Sequence, residues 1–271
     1  MTDAALDRPL PPAQLERPGA VAFLGYAAAV AILVWSFDGA GWSAEKLIAA
    51  PPALADFAAR AWPPATAGLE RLGWKMVETL QIAVLGAVLG VVLSLPIALL
   101  AVRGGAAGRI VNTLVRVILG FLRAVPDIAW ALIFVVAVGL GPFSGMLAIM
   151  IDTIGFCGRF FADDMEAVDG GPGEALRATG AKRLDIVACA TVPAAMPAFI
   201  STSLYALEKA VRSSTILGLV GAGGIGIELK VAFDLFDYPT ATTVILMIAV
   251  IVIVVEQLGV FARKRIIGAE R

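Results

Sequence analysis

The chain has 271 residues, 59% of them hydrophobic and only 16% charged, and its mean hydropathy is +0.89, a balance that water-soluble domains rarely show. A formal net charge of −1 excludes a basic nucleic-acid surface, and two cysteines, Cys157 and Cys189, are too few for a disulfide framework and read as free buried thiols. Histidine is absent, which removes Ser-His and Cys-His nucleophile pairs and histidine metal sites.

A hydrocarbon layer of roughly 30 Å needs about 20 mostly apolar residues per helix. Residues 1–19, with Pro9, Pro11, Pro12 and Pro18, lack a basic segment ahead of the first apolar run and read as a cytosolic tail, so the run 20–37 reads as a retained span. Residues 38–74 carry Pro51, Pro52, Pro63 and Pro64 and read as an outer segment of short helices against the membrane face. The main transmembrane body is expected over 75–262, with spans at 76–101, 143–161, 194–220 and 242–261. Between the first two of these, 110–140 holds Arg116, Arg123, Pro126 and Asp127 and predicts an interfacial amphipathic helix followed by a span from Pro126 onward. Residues 263–271 read as a basic cytosolic tail. The expected fold is thus an all-α polytopic membrane protein of about six spans, with no internal repeat and no low-complexity tract.

Cytoplasmic loops carry an excess of Lys and Arg. With the N-terminus inside, eleven fall on the inner side (Arg8, Arg17, Arg103, Arg109, Arg177, Lys182, Arg183, Arg263, Lys264, Arg265 and Arg271) and four on the outer (Lys46, Arg60, Arg71 and Lys230). Both termini are therefore expected in the cytoplasm.

Gly221, Gly223 and Gly226 fit G-x-G-x-x-G, but a dinucleotide turn needs a short strand before it and a βαβ unit around it. Here a long apolar run precedes the turn, which the topology places outside. The glycines, Gly224 included, read as a close-packed turn at the outer end of a span.

The cytoplasmic stretch GGPGEALRATGAKRLDIVACATVPAAMP, residues 170–197, predicts a hairpin. Glu174 lies in the first turn of a helix, Gly180 ends that helix, and a second runs from Lys182 to Pro193. A charged hairpin between two spans has the shape of something that docks into a partner's groove.

The order Glu174, Ala175, Leu176, then Gly180, then Ala190, Val192 and Pro193 resembles the E-A-A coupling loop of ABC importer permeases, with apolar exchanges at positions 176, 190 and 192. With ETLQIAVLGAVLG (78–90), RAVPDIAWALIFVVAVGLGP (123–142) and VRSSTILGLVGAGGIGIEL (211–229), the likeness extends over 74–262 and is to the permease subunit of phosphonate ABC importers. Methionine-type permeases share the coupling loop and resemble the other stretches less.

The resemblance implies a type I, methionine-permease-like architecture in a bacterial inner membrane. It also implies a coupling helix at Glu174, Ala175, Leu176, Arg177 and Thr179 within a loop 163–193, docked on an ABC ATP-binding subunit present in two copies. That subunit, not this chain, would bind ATP and Mg, and no G-x-x-x-x-G-K-[ST] loop is found here. The further partners implied are a periplasmic or lipid-anchored phosphonate-binding protein and a second permease chain, the same or a paralogue. The alternatives are a permease for methionine or phosphate, or an ATP-independent channel.

Ionisable residues inside spans need a partner or a purpose. Glu208 and Arg212 stand i, i+4 and could neutralise each other. Alternatively Arg212, followed by Ser213, Ser214 and Thr215, faces the pathway and offers a cation and hydroxyls to an oxyanion. Arg123 and Asp127 read as an anchoring or gating pair at the inner edge of a span, and Asp152 and Arg159 share one face. Asp163, Asp164, Glu166 and Asp169 read as a solvated charged face, not as a metal site.

Overall fold

A computed structural model describes residues 19–103 and 108–267. The N-terminal tail up to residue 18 and the last four residues, with Arg8, Arg17 and Arg271, lie outside the described residues. The chain divides into two units, 1–57 and 58–271.

In the first unit, α1 (Ala20–Gly39) is 20 residues long, apolar all round and without a buried residue. At 1.5 Å per residue it reaches about 30 Å, one bilayer core. After it, α2 (Ala44–Ala61) crosses the division between the units as one helix, although Pro51 and Pro52 remove two amide donors from its interior.

The second unit is a helical bundle built on α3 (Leu69–Ala101) and α6 (Pro142–Ala167). Lipid gives apolar side chains little reason to leave it, so membrane helices associate through close contact between small residues. Gly86 and Gly90 supply that contact. A Cβ at Gly86 would stand 2.8 Å from Ile149, and one at Gly90 2.5 Å from the Cβ of Thr153. Alanines 83, 87, 98, 148, 206 and 210 are buried around the same contacts, while Val88, Val92, Val250, Ile253 and Leu258 point outward, as side chains do when the solvent is hydrocarbon.

The region 110–140 differs from expectation. The helices α4 (Gly108–Ala124) and α5 (Asp127–Val138) are bent by 90° at the break. Pro126 lacks an amide and drives Val125 out of the helical region. With 12 residues, α5 covers about 18 Å and is too short to span alone. Among the described residues, five helices are long and apolar enough to cross a membrane, and the bent pair makes a sixth crossing if counted as one.

Nor is α4 an interfacial helix. Its apolar stripe, with Ile110, Leu114, Val117 and Phe121, is exposed, while Asn112, Arg116 and Leu119 face inward. Leu119 and Leu122 pack on Gly158 and Gly155 of α6, so the bend lies halfway along the bundle and not at its inner edge.

After α6 come α7 (Gly171–Ala178), α8 (Arg183–Ile186), a π-helical turn (Val187–Thr191) and α9 (Val192–Leu217). Pro193 does not end the hairpin. The ring of Pro193 would crowd the carbonyl four residues back, and the wider π turn immediately before it lets the helix run on into the span. A 3-10 turn (Gly218–Val220) leads through the glycines to α10 (Ile225–Asp234), a short helix the sequence did not reveal, and then to α11 (Tyr238–Ile267). Arg263, Lys264 and Arg265 belong to α11, not to a separate tail. Likewise α3 opens at Leu69, inside the segment expected to be outer loop.

Gly90→Ala is expected to lower the thermal midpoint of the detergent-purified protein, overpacking of this kind costing about 1–3 kcal/mol. Gly120→Ala, where a Cβ meets nothing within 4 Å, should leave the midpoint unchanged or raise it. Equal midpoints for the two variants would contradict the α3–α6 contact.

Candidate functional site

Two places on the bundle combine unusual chemistry with a position suited to function. The first is the hairpin between α6 and α9. Asp169 accepts the Gly171 amide at 3.2 Å and opens α7, and Asp185 accepts the Lys182 amide at 3.1 Å and opens α8. Gly180 has φ +84°. Its amide donates to Arg177 O at 3.0 Å and that of Ala181 to Leu176 O at 3.2 Å. This pair of bonds is a Schellman ending and needs a left-handed residue, which glycine adopts without strain. Thr179 donates its hydroxyl to Leu176 O at 2.8 Å.

Glu174, Ala175, Arg177 and Thr179 are exposed, whereas Leu176 is half-buried, so α7 presents its charged face outward. Pro193 is the second residue of α9. Since α6 continues to Ala167, the loop proper is 168–182, narrower than 163–193. A cavity of about 450 Å³ lies behind it, between Arg103, Glu166, Glu174, Arg177 and Ile186.

Arg116 ties this end of the bundle together. It forms ion pairs with Glu166 and, at 3.3 Å, with Asp163, and its Nε donates to Ala101 O at 2.7 Å. Asn112 donates to the same carbonyl, and Glu166 also accepts the Arg103 amide at 2.6 Å. The acidic cluster is therefore not simply a solvated face. Asp163 also pairs with Arg159 at 2.8 Å, and Asp164 accepts from Thr202 at 3.5 Å.

The second place is the face shared by α4, α6 and α9, where the ionic partners differ from those expected. Glu208 pairs with Arg263 of α11 at 2.7 Å, not with Arg212. Asp152 holds Lys209 through both oxygens at 2.7 and 2.8 Å, not Arg159. Arg123 and Asp127 do not meet. The guanidinium of Arg123 lies 5.3 Å over the Phe160 ring, and Asp127 accepts the Ile128 amide at 3.0 Å and the Ser213 hydroxyl at 2.5 Å.

Ser214 and Thr215 are buried and donate to Val211 O and Arg212 O at 2.8 and 2.7 Å. Both hydroxyls donate to carbonyls of their own helix, and neither side chain lies on the exposed face that carries Arg212. Arg212 is exposed and, among the described residues, has no carboxylate partner. An unpaired cation inside a span costs about 2.5–3.5 kcal/mol on insertion scales, so this face needs water or a partner. Cys157 is buried but Cys189 is exposed, which corrects the reading of both as buried.

The glycine turn stands at the opposite end of the bundle from the hairpin. Gly223 and Gly224 have φ +87° and +75°, and a Cβ on either would reach Pro142 or Thr79 at 2.8 or 2.6 Å. Gly221 packs on Leu140, Ala222 on Gly145, and Gly226 on the Thr215 carbonyl. The amides of Gly224 and Ile225, which begin α10, donate to Glu78 Oε1 at 2.9 Å and Thr79 Oγ1 at 2.7 Å. A carboxylate at a helix N-terminus is favoured by the dipole. Sequence reasoning missed Glu78 and Thr79, and for Arg116, Asp152 and Glu208 it missed the partners, Glu166, Lys209 and Arg263. The signal was present, because each interrupts an apolar run.

A bundle of membrane-length helices with a charged, exposed hairpin and, among the described residues, unpaired cations on an exposed face suits a polytopic membrane subunit that works with another protein. Residues 90–267 match the family described as binding-protein-dependent transport system inner membrane component, and the chain belongs to that family. It is an ABC importer permease, a multi-pass membrane subunit. It is 36% identical over 221 residues to the phosphite transport system permease protein PtxC of Stutzerimonas stutzeri, covering 82% of this chain and 80% of that one. To the phosphate-import permease protein PhnE of Mycolicibacterium smegmatis it is 38% identical over 209 residues, 77% of this chain and 39% of the relative. Among solved structures, the methionine ABC transporter MetNI in an inward-facing conformation superposes with a TM-score of 0.62 at 22% identity, over 74% of this chain and 99% of that one. The type I importer architecture is thus confirmed.

Arg263→Ala leaves the 10%-exposed Glu208 carboxylate unpaired. The expected loss is up to about 3 kcal/mol, the low end for a buried pair because Arg263 retains some solvent contact. Adding Glu208→Gln should recover most of it in thermal unfolding, and failure to recover would show that Arg263 acts through something other than Glu208.

Proposed function

We propose that this chain is the membrane-spanning subunit of an ATP-driven importer for phosphonates or related phosphorus oxyanions. The observation that carries the reading is Arg212, a guanidinium on the exposed face of a spanning helix without a counter-ion among the described residues. A guanidinium offers paired donors to a tetrahedral oxyanion and cannot be neutralised by deprotonation. The phosphite and phosphate named for two relatives support the same substrate class.

In this reading a periplasmic or lipid-anchored binding protein delivers the oxyanion at the outer face. A second permease chain, identical or paralogous, closes the cationic face into a pathway. Two copies of the ABC ATP-binding subunit bind ATP with Mg and receive α7 through Glu174, Ala175 and Arg177. Both termini lie in the cytoplasm, and this chain binds no cofactor of its own. ATP-driven closure of the partner moves α7, and the helices on either side of the hairpin carry that movement to the pathway. Selection of the particular solute rests largely with the binding protein. A methionine or phosphate importer would share the machinery, whereas a channel would have no use for the hairpin.

Deleting the gene should abolish uptake of 2-aminoethylphosphonate, methylphosphonate or phosphite while methionine uptake persists; loss of methionine uptake alone would discard the substrate class, and loss of phosphate uptake alone would discard phosphonates within it. Arg212→Ala, with assembly confirmed, should slow oxyanion uptake by about tenfold or more, the effect of one charge-assisted hydrogen bond. Unchanged transport would sink the role of Arg212. Gly180→Val forces a β-branched residue to φ +84° at a cost of about 1–2 kcal/mol. It should uncouple ATP hydrolysis from uptake, and uptake that persists unchanged and without ATP would argue for a channel.

A further inference from the structure

Arg123 stands out on the face that carries Arg212. Among the described residues, Arg116, Arg159 and Lys209 each have a carboxylate within 3.3 Å, whereas Arg123 has none and lies over a ring. Its level is fixed by Gly155, the fourteenth of the 26 residues of α6, where an added Cβ would stand 3.2 Å from Arg123 Cγ.

A continuous set of contacts joins it to Arg212. Phe160, beneath Arg123, packs on Phe156 with ring centroids 4.6 Å apart, and Phe156 packs on Tyr205 at 5.6 Å. Lys209 stands 5.4 Å over Phe156 while bound to Asp152. Tyr205 and Arg212 are seven residues apart on α9, hence on one side of it, and both are exposed. On the other flank, Asp127 joins the α4–α5 bend to Ser213, the neighbour of Arg212. Counting residues from the Gly155 level, where the stem of Arg123 packs, to the Asp152–Lys209 pair and on to Arg212 separates the backbone levels of the two arginines by about 9 Å along the bundle.

We propose that Arg123 is a second anion-contacting residue of the pathway, one step inward from Arg212, and that a tetrahedral phosphorus oxyanion passes from one guanidinium to the other. This rests on the oxyanion reading above. The cation–π contact with Phe160 holds the guanidinium in place without using its N–H donors. Lys209 does not compete for the cargo, because Asp152 already neutralises it. Two cations separated in this way bind the anion in turn, which lets it leave each one, as conduction requires. A lipid phosphate offers the same chemistry, but it sits at a headgroup level and not halfway along α6.

The test uses the assembled transporter with its ATPase and binding protein, in a Cys189→Ser background because Cys189 is exposed and Cys157 is buried. Arg123→Cys should transport about tenfold slower or worse and should react with membrane-impermeant methanethiosulfonates. A cationic ethylammonium adduct should restore at least half of the lost rate, and an anionic ethylsulfonate adduct none. Lack of reaction with either reagent places the side chain in lipid or packing and overturns the proposal. Equal recovery with both adducts overturns it too, since bulk and not charge would then matter.

If Arg123→Cys fails to assemble, Arg123→Lys and Arg123→Gln decide instead. Near-normal uptake for lysine and about tenfold slower uptake for glutamine, at equal ATPase activity and thermal midpoint, support the proposal. Equal uptake, or a loss that tracks the midpoint, reduces Arg123 to holding the end of α4 and overturns it. Failure of the substrate reading is seen separately, in the gene-deletion uptake panel, before any variant at position 123 is made.

Discussion

The close approach of α3 and α6 is the constraint on which the rest of the bundle depends. Between apolar helices in lipid there is little hydrophobic gain from association, so the contact must come from surfaces that fit at short range. Gly86 and Gly90 bring α3 down on Ile149 and Thr153, and Gly155 and Gly158 bring α4 down on the same α6. Thus α6 is gripped from two sides, through its own small residues on one of them. With α6 fixed, its remaining face, carrying Asp152, Phe156, Arg159 and Phe160, is presented to α9 and to the exposed side of the bundle in one register.

Electrostatics then follow from packing. Asp152–Lys209, Glu208–Arg263 and Arg116–Asp163/Glu166 all cross between helices. In water a helix can satisfy a charge with its own i, i+4 neighbour or with solvent. Inside a bundle, packing decides which side chains share the same space, and a partner on the facing helix is nearer than one along the same helix. The pair expected for Glu208 with Arg212 failed for this reason, and that of Arg123 with Asp127 because the 90° bend at Pro126 places the two on different helices. Their failure leaves two guanidiniums, Arg123 and Arg212, without a carboxylate partner among the described residues.

Much of the architecture was legible in the sequence. Apolar run length located the five long helices because hydrocarbon thickness fixes their minimum extent. The Gly180 ending was legible because few residues other than glycine reach φ +84° cheaply. The bent pair α4–α5 was misread. An amphipathic pattern shows that a helix has two unlike faces but not which of them meets water, and in α4 the polar face is turned inward to Ala101 and Glu166. Pro193 misled in the opposite direction, since a π turn can absorb a proline without ending the helix. Ser214 and Thr215 looked like pathway hydroxyls because composition does not reveal that a hydroxyl is already bonded to the carbonyl one turn back.

The hairpin and the cationic face are joined through short connections. From α7 the chain reaches α6 through only Val168, Asp169 and Gly170, and on the other side α8 runs without a break through the π turn into α9. The two helices that carry the aromatic and ionic face are therefore the two that leave the hairpin. A displacement of α7 acts on α6 and α9 at their bases, while Arg116 holds the inner ends of α3 and α4 to α6. Packed interfaces of this kind switch between discrete arrangements instead of deforming smoothly. The contacts between α6 and α9 that would have to choose include the Asp152–Lys209 pair and the tilted Phe156–Tyr205 ring contact. Both sit between Arg123 and Arg212, so a shift of α9 past α6 alters the spacing of the two guanidiniums directly, with no further relay needed.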